Sequence, residues 1–310
     1  MSASRRTDIP AYYSDWMLNR IKDRYVYVRN PMNIHQISKI NLDPDVVDCI
    51  VFWSKNPKPM LDILHLMKEY TYYFQFTFNP YDTDIETMLP PKKEIIETFQ
   101  KLSDKIGPQK IIWRYDPVLL NNKYTPLYHV DTFGEYAYTL KGYTKKVTFS
   151  FIDFYKKITG NIKPLGIVEV TNEEKIMIAE KFSQIAKENS LLICTCAEDI
   201  DLSQYDITHA RCIDDRLIAE ISGCDFVIGK DKNQRLECGC VGSIDIGEYN
   251  SCRNGCIYCY ANDKHDTVKT HIKKHDPLSP LLIGDIQAQD RVNDRKVSSN
   301  KVVQKELSLF

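Results

Sequence analysis

Near its end the chain carries Cys252, Cys256 and Cys259 at the spacing Cys-x3-Cys-x2-Cys. Three thiolates on one tight loop can hold three corners of a four-iron four-sulfur cube, and the run offers no fourth ligand, so one iron would stay open. An open position is what a catalytic metal keeps, whereas a structural site is normally closed by the protein. The same spacing also allows a zinc knot or a set of buried thiols, although zinc sites more often pair two Cys-x2-Cys units. Of ten cysteines, seven lie beyond residue 211. In a reducing compartment such clustering points to metal ligation or redox chemistry rather than to disulfides.

Further cysteines lie just upstream, so that residues 194–262 form one cysteine-rich region. Thiolates from Cys196, Cys212, Cys238 and Cys240 can close a second iron–sulfur cluster. The alternative is that some are small buried hydrophobes, which suits Cys49 and Cys194 on apolar runs. Cys238 and Cys240 are close enough in sequence to serve instead as a redox pair or a hydrogen donor facing a substrate.

These residues need a scaffold, and the rest of the chain supplies it. With 310 residues, 43% hydrophobic, it can bury a full core. A net charge of -1 gives no global attraction to nucleic acid. No apolar stretch is long enough to span a membrane and the N-terminus lacks the apolar segment of a secretory signal, so a cytoplasmic protein is expected. Short β-branched and aromatic runs at residues 25–28, 47–53, 72–78, 110–115, 147–152 and 191–196 read as buried strands, and residues 243–246 as one more before the cysteine loop. Helical spacing appears at Tyr13, Trp16, Met17 and Ile21, at Met60, Ile63, Leu64 and Met67, and at Ile95, Ile96, Phe99, Leu102 and Ile106. Thr171 and Glu174 form a capping box ahead of Ile176, Ile178, Ala179 and Phe182. Alternation of this kind predicts an α/β fold with parallel strands, as a full or partial barrel or an open doubly wound sheet; the barrel is the expectation. A single domain over residues 1–286 would be followed by a polar, mobile tail over 287–310.

The cysteine spacing, with the aromatic Tyr258 just before the last cysteine, resembles the signature of the radical S-adenosylmethionine superfamily. That resemblance implies a 4Fe-4S cluster and S-adenosyl-L-methionine as cofactors, a 5′-deoxyadenosyl radical, and a reductant such as ferredoxin or flavodoxin as partner. The superfamily carries this run near its N-terminus, and here it comes late, which a circular permutation of the barrel would explain. Over residues 2 to about 296 the chain also resembles the family called domain of unknown function 1848, through SASRRTDIPAYY, VDCIVFWSKNP, IIWRYDP, CAEDIDL and CGCVGSIDIGEYNSCRNGCIYCYAN. Within the superfamily, FWSKNP is similar to a strand-end motif of the spore photoproduct lyase branch, which makes Lys55 a cofactor-contacting candidate together with Tyr258. Gln75, Thr77 and Arg114 at neighbouring strand ends would add hydrogen bonds. No Gly-Gly-Glu segment follows the cysteines, and the early Ser4, Arg5, Arg6, Thr7 and Asp8 are placed to stand in for it if the order is permuted. The catalytic residue itself is not assigned.

The last residues, Glu306 to Phe310, resemble the tail peptide by which bacterial replication proteins grip the sliding clamp, with Glu306 where glutamine is usual. Leu307, Leu309 and Phe310 are the apolar anchors such a grip uses, and the resemblance implies DNA or a nucleobase as substrate class. The competing reading of the whole chain is a non-catalytic iron–sulfur or zinc protein, a binding or redox-sensing module.

Overall fold

The computed structural model describes residues 1–302, with every side chain among them except that of His265. Strands β1 (Ser2–Ala3), β2 (Tyr25–Asn30), β3 (Asn33–Asn41), β4 (Ile50–Ser54), β5 (Tyr72–Thr77), β6 (Ile111–Val118), β7 (Lys146–Phe151), β8 (Leu192–Thr195), β9 (Thr208–His209) and β10 (Arg291–Arg295) make two sheets. The larger has seven strands, all parallel, in the order β1-β4-β5-β6-β7-β8-β9. The smaller is β10-β3-β2. The seven strands follow one another along the sheet in sequence order, as crossover connections dictate when each strand is parallel to the last.

Period-two alternation divides the large sheet's faces. Phe52, Phe74, Phe76, Trp113, Tyr115, Val147 and Phe149 point to one face and form the main core with the helices Ser14–Asp23, Lys92–Ile106, Pro126–Thr139 and Asn172–Glu188. Val51, Tyr73 and Ile112 point to the other, where Cys212, Ile213, Ile218, Cys238, Cys240 and Val241 cover them. The last of those four helices begins as anticipated: Thr171 Oγ1 accepts from Glu174 N at 3.2 Å, and Glu174 Oε2 accepts from Thr171 N at 2.9 Å.

The α/β class and the parallel sheet agree with the expectation; the closed barrel does not. Among the described residues no strand pairs β9 back to the opposite end of the sheet. Strand β9 has two residues, and residues 212–241 fill the inner face with packed loop and a short helix instead of adding strands. What does lie beyond β1 is the segment leading into the cysteine loop. Ser2 bridges Asp245 in parallel, Ser2 N donates to Ile244 O at 2.8 Å and Ile246 N to Ser2 O at 3.0 Å. The residues read as a strand at 243–246 thus extend the sheet past β1.

Three expectations are corrected. Residues 25–28 belong to the small sheet, because only a tight turn at Pro31 and Met32 separates β2 from β3, and such a turn joins antiparallel strands. The segment 60–67 forms two 3₁₀ turns, Lys58–Met60 and Leu64–Met67, whose apolar residues are buried at three-residue spacing by i to i+3 bonds such as Ile63 N to Met60 O at 3.1 Å. Residues from 287 onward are not a loose tail as far as 302: β10 pairs with β3, and Ser299 and Asn300 donate to the Asp48 carboxylate. Glu306 to Phe310 lie outside the described residues. Among the described residues no helix is long and apolar enough to cross a membrane.

Candidate metal centre

A parallel sheet delivers the C-terminal ends of all its strands to one edge, and the loops there are where such folds build sites. A cavity of about 860 Å³ opens at this edge, bounded by Arg5 after β1, Lys55 after β4, Asp116 in β6, Ser150 in β7 and Cys196 after β8. Both cysteine groups line it: Cys252, Cys256 and Cys259 on one side, Cys196, Cys212, Cys238 and Cys240 on the other.

The cysteine loop has almost no regular structure and is held by its neighbours. Gly255 adopts φ 67°, and a Cβ there would collide with Thr87 Oγ1, so glycine is required both for the backbone and for the close approach. Backbone bonds dock the loop on residues 85–88: Ile257 N donates to Ile85 O at 3.1 Å and Met88 N to Asn254 O at 3.2 Å. Beneath it lies Glu86, 2% exposed. Its carboxylate accepts from Lys55 Nζ at 2.7 Å, Lys92 Nζ at 3.0 Å and Tyr258 Oη at 2.5 Å. Burial alone would raise the Glu86 pKa, but the two ammonium groups outweigh it and hold the carboxyl at about 2. Asp8 forms a second anchor, accepting from Lys55 N at 2.8 Å and Asn254 Nδ2 at 3.0 Å, while Tyr12 Oη donates to Asn254 Oδ1 at 2.7 Å. Burial pushes the Cys256 thiol up to about 12, despite Lys55 nearby.

On the opposite wall Cys196 Sγ lies 3.3 Å from Cys212 Sγ, and Cys240 Sγ accepts from Cys212 N at 3.2 Å. Arg114 Nη1 donates to Cys212 Sγ at 2.9 Å and also pairs with Asp116. The hydrogen bond from Cys240 draws the Cys238 thiol down to about 7. Among the described residues no group of three or more His, Cys, Asp or Glu side chains already stands in metal-binding geometry. A cysteine side chain redirects its sulfur by rotation about one bond, and thiols are the donors that thiophilic metals prefer.

The sequence-derived candidates are thus brought to one cavity, with two exceptions in role. Lys55 sits at the predicted strand end with its ammonium 5.5 Å over the Tyr258 ring, but that ammonium is engaged by Glu86 rather than free. Gln75 is buried, donating to Cys212 O at 2.8 Å, and does not line the cavity. Thr77 and Arg114 both line it, and Arg114 donates to Cys212 Sγ. Sequence reasoning missed Glu86, Asn254 and Asp245. Asp245 accepts from Ser2 Oγ and Ser4 Oγ at 2.7 Å, Arg5 N at 2.8 Å and Gly247 N at 2.9 Å, tying the first residues to the segment before the cysteine loop. Nothing marks Glu86 in the sequence, whereas Asp245 and Asn254 stand within nine residues of the cysteines and were open to suspicion.

Fold and site together define an α/β protein with a single parallel sheet whose strand ends carry a thiol-lined cavity. The chain belongs to the family described as a domain of unknown function, DUF1848, whose model matches residues 1–261 and so takes in the large sheet and all ten cysteines. No curated protein and no solved structure matches it.

Proposed function

We propose that this chain is a radical S-adenosylmethionine enzyme whose four-iron four-sulfur cluster is held by Cys252, Cys256 and Cys259. The observation that carries the reading is the position of these three thiols. They stand on one glycine-kinked loop at the C-terminal edge of a parallel sheet and line a cavity large enough for a cofactor and a small substrate group. The chain order is compatible with it too, since the segment before the cysteines, which bridges β1 at Ser2 and Asp245, joins the edge of the sheet last in sequence, as a permuted arrangement would require.

Cys252, Cys256 and Cys259 would hold the cluster, which would supply the electron for reductive cleavage of S-adenosylmethionine. The chain's own residues hold and orient. Glu86 and Asp8 fix the cysteine loop through Lys55, Tyr258 and Asn254, and a loop so fixed loses little further freedom when metal binds. Arg5 and Arg6, stacked over Trp53 and Tyr249 at 5.2 and 5.1 Å, line the same cavity and offer cationic, planar groups to an anionic or aromatic ligand.

The test is an anaerobic preparation in which iron and sulfide are measured per chain, dithionite and S-adenosylmethionine are added, and 5′-deoxyadenosine is sought by chromatography. The wild-type chain is expected to form it, and a Cys252→Ala, Cys256→Ala, Cys259→Ala variant to form none. Product from that variant would refute the assignment, and bound metal without product in the wild type would favour a non-catalytic metal protein.

A further inference from the structure

We propose that Cys196, Cys212, Cys238 and Cys240 form a second metal centre, closed by four thiolates and seated between the guanidinium groups of Arg114 and Arg5. The proposal is independent of the chemistry at Cys252, Cys256 and Cys259.

Three separate stretches bring these thiols together: Cys196 follows β8, Cys212 follows β9, and Cys238 and Cys240 end a long loop. Cys196 Sγ and Cys212 Sγ are 3.3 Å apart. A tetrahedral ion bound to sulfur at about 2.3 Å sets its sulfurs about 3.8 Å from one another, so this pair needs an adjustment of only a few tenths of an ångström. Cys240 Sγ accepts from Cys212 N at 3.2 Å, and Cys238 is packed in the same buried cluster as Cys212 and Cys240.

The surroundings are those of sulfur carrying negative charge. Backbone N–H groups of Cys212 and Ile213 both point at Cys240 Sγ, at 3.2 and 3.5 Å. Arg114 Nη1 donates to Cys212 Sγ at 2.9 Å. Arg5 lines the same cavity as these thiols, and its Nη2 is buried with no hydrogen-bond partner. A buried, unpaired guanidinium nitrogen is costly unless a negative charge faces it. Four thiolates around a divalent ion, or around an oxidised four-iron cluster, carry a net charge of about -2, and two guanidinium groups balance that. Thiols that were merely small hydrophobes would leave the Arg5 nitrogen unpaired, whereas Arg114 would keep its pair with Asp116. A Cys196–Cys212 disulfide would consume two of the four and leave the same imbalance.

A centre closed by four protein ligands has no position for substrate, and its work here is to fasten. Between the helix Asp215–Ser222 and the helix His265–Ile272 the chain forms only isolated bridges, yet this segment covers the inner face of the sheet. Tyr73 Oη and Gln75 Nε2 already hold the Cys212 carbonyl, at 2.7 and 2.8 Å, and the metal would fix the same residue by its sulfur.

The test uses the full chain carrying Cys252→Ala, Cys256→Ala and Cys259→Ala, purified without oxygen, with iron, zinc and sulfide measured per chain. Metal should remain, as iron with sulfide for a cluster or as zinc or iron alone for a single ion. Adding Cys212→Ser and Cys240→Ser should bring it to background. If the triple variant does not fold, Cys212→Ser with Cys240→Ser in the otherwise unaltered chain should lower the metal content without abolishing it. Arg114→Met should speed metal loss to a chelator roughly tenfold or more, the scale seen when the groups supporting a ligand are removed. A folded triple variant free of metal, an unchanged content after the two serine substitutions, or a Cys196–Cys212 disulfide mapped in the anaerobic protein would each overturn the proposal. Failure of the radical reading alone looks different: the triple variant would then still retain metal while the wild type forms no 5′-deoxyadenosine.

Discussion

Replacing Glu86 by Gln keeps its shape and removes its charge, which makes it a direct probe of what holds the cysteine loop. In the wild type two ammonium groups and a phenol converge on this carboxylate, 2.5 to 3.0 Å away, in a site 2% exposed. A carboxyl held at about 2 instead of the ordinary 4.5 corresponds to about 3 kcal/mol of stability at neutral pH. Breaking one side of a buried pair typically costs about 3 to 5 kcal/mol, which agrees. For 310 residues that amounts to a fall in Tm of about 5 °C. The sign with pH follows from the depressed pKa. The stabilisation is complete above the unfolded value near 4.5 and is lost as pH falls toward 2, so the gap between wild type and variant should close over that interval. Paired calorimetric or denaturant melts from pH 7 to pH 2.5 measure it. A gap under about 1 kcal/mol at pH 7, or one that does not shrink on acidification, would show that Glu86 is not the anchor described here.

Glu198 should behave oppositely, since burial raises its carboxyl to about 7. Its protonated form is favoured in the folded state, so wild type should lose roughly 3 kcal/mol relative to Glu198→Gln as pH rises from 4.5 to 7, and equal melts at pH 8 would contradict this. Gly255→Ala, which meets both the positive φ and Thr87 Oγ1, should cost about 2 kcal/mol or more and lower iron uptake on anaerobic reconstitution; normal uptake and an unchanged Tm would refute the close approach. Lys55→Met should destabilise less than Glu86→Gln, because Lys92 and Tyr258 still face the carboxylate, and a larger loss in the same melts would reverse that order.

Much of this was legible because two kinds of signal are local. Capping chemistry at Thr171 and the apolar period of residues 95–106 depend on neighbours three or four residues away, and both helices formed where they were read. The cysteine spacing is also local, and the three cysteines it marks line one cavity. What failed was set by partners distant in sequence. The run 25–28 has the composition of a buried strand, yet pairing with β3 through a tight turn put it in the smaller sheet, where Val26 alone of its residues is buried. Strand β10 is wholly exposed and polar, so its composition carries no strand signal; register with β3 alone makes it one. Glu86 was invisible for a related reason, since its role exists only where residues 55, 92 and 258 meet it.

The site therefore depends on closure of the chain's two ends more than on any motif. Asp245 joins Ser2, Ser4 and Arg5 to the segment before the cysteines, across 240 to 243 residues, and Glu86 and Asp8 then hold the loop itself. Contacts this far apart in sequence form only after long loops have closed, so the cysteine loop should be among the last parts to order. A loop that orders last has little internal structure to spend on positioning three thiols, and the surrounding carboxylates supply it instead. The same logic applies to the neighbouring thiols: Cys196, Cys212, Cys238 and Cys240 come from three stretches with few regular elements between them, and the metal proposed above would fasten all three at once.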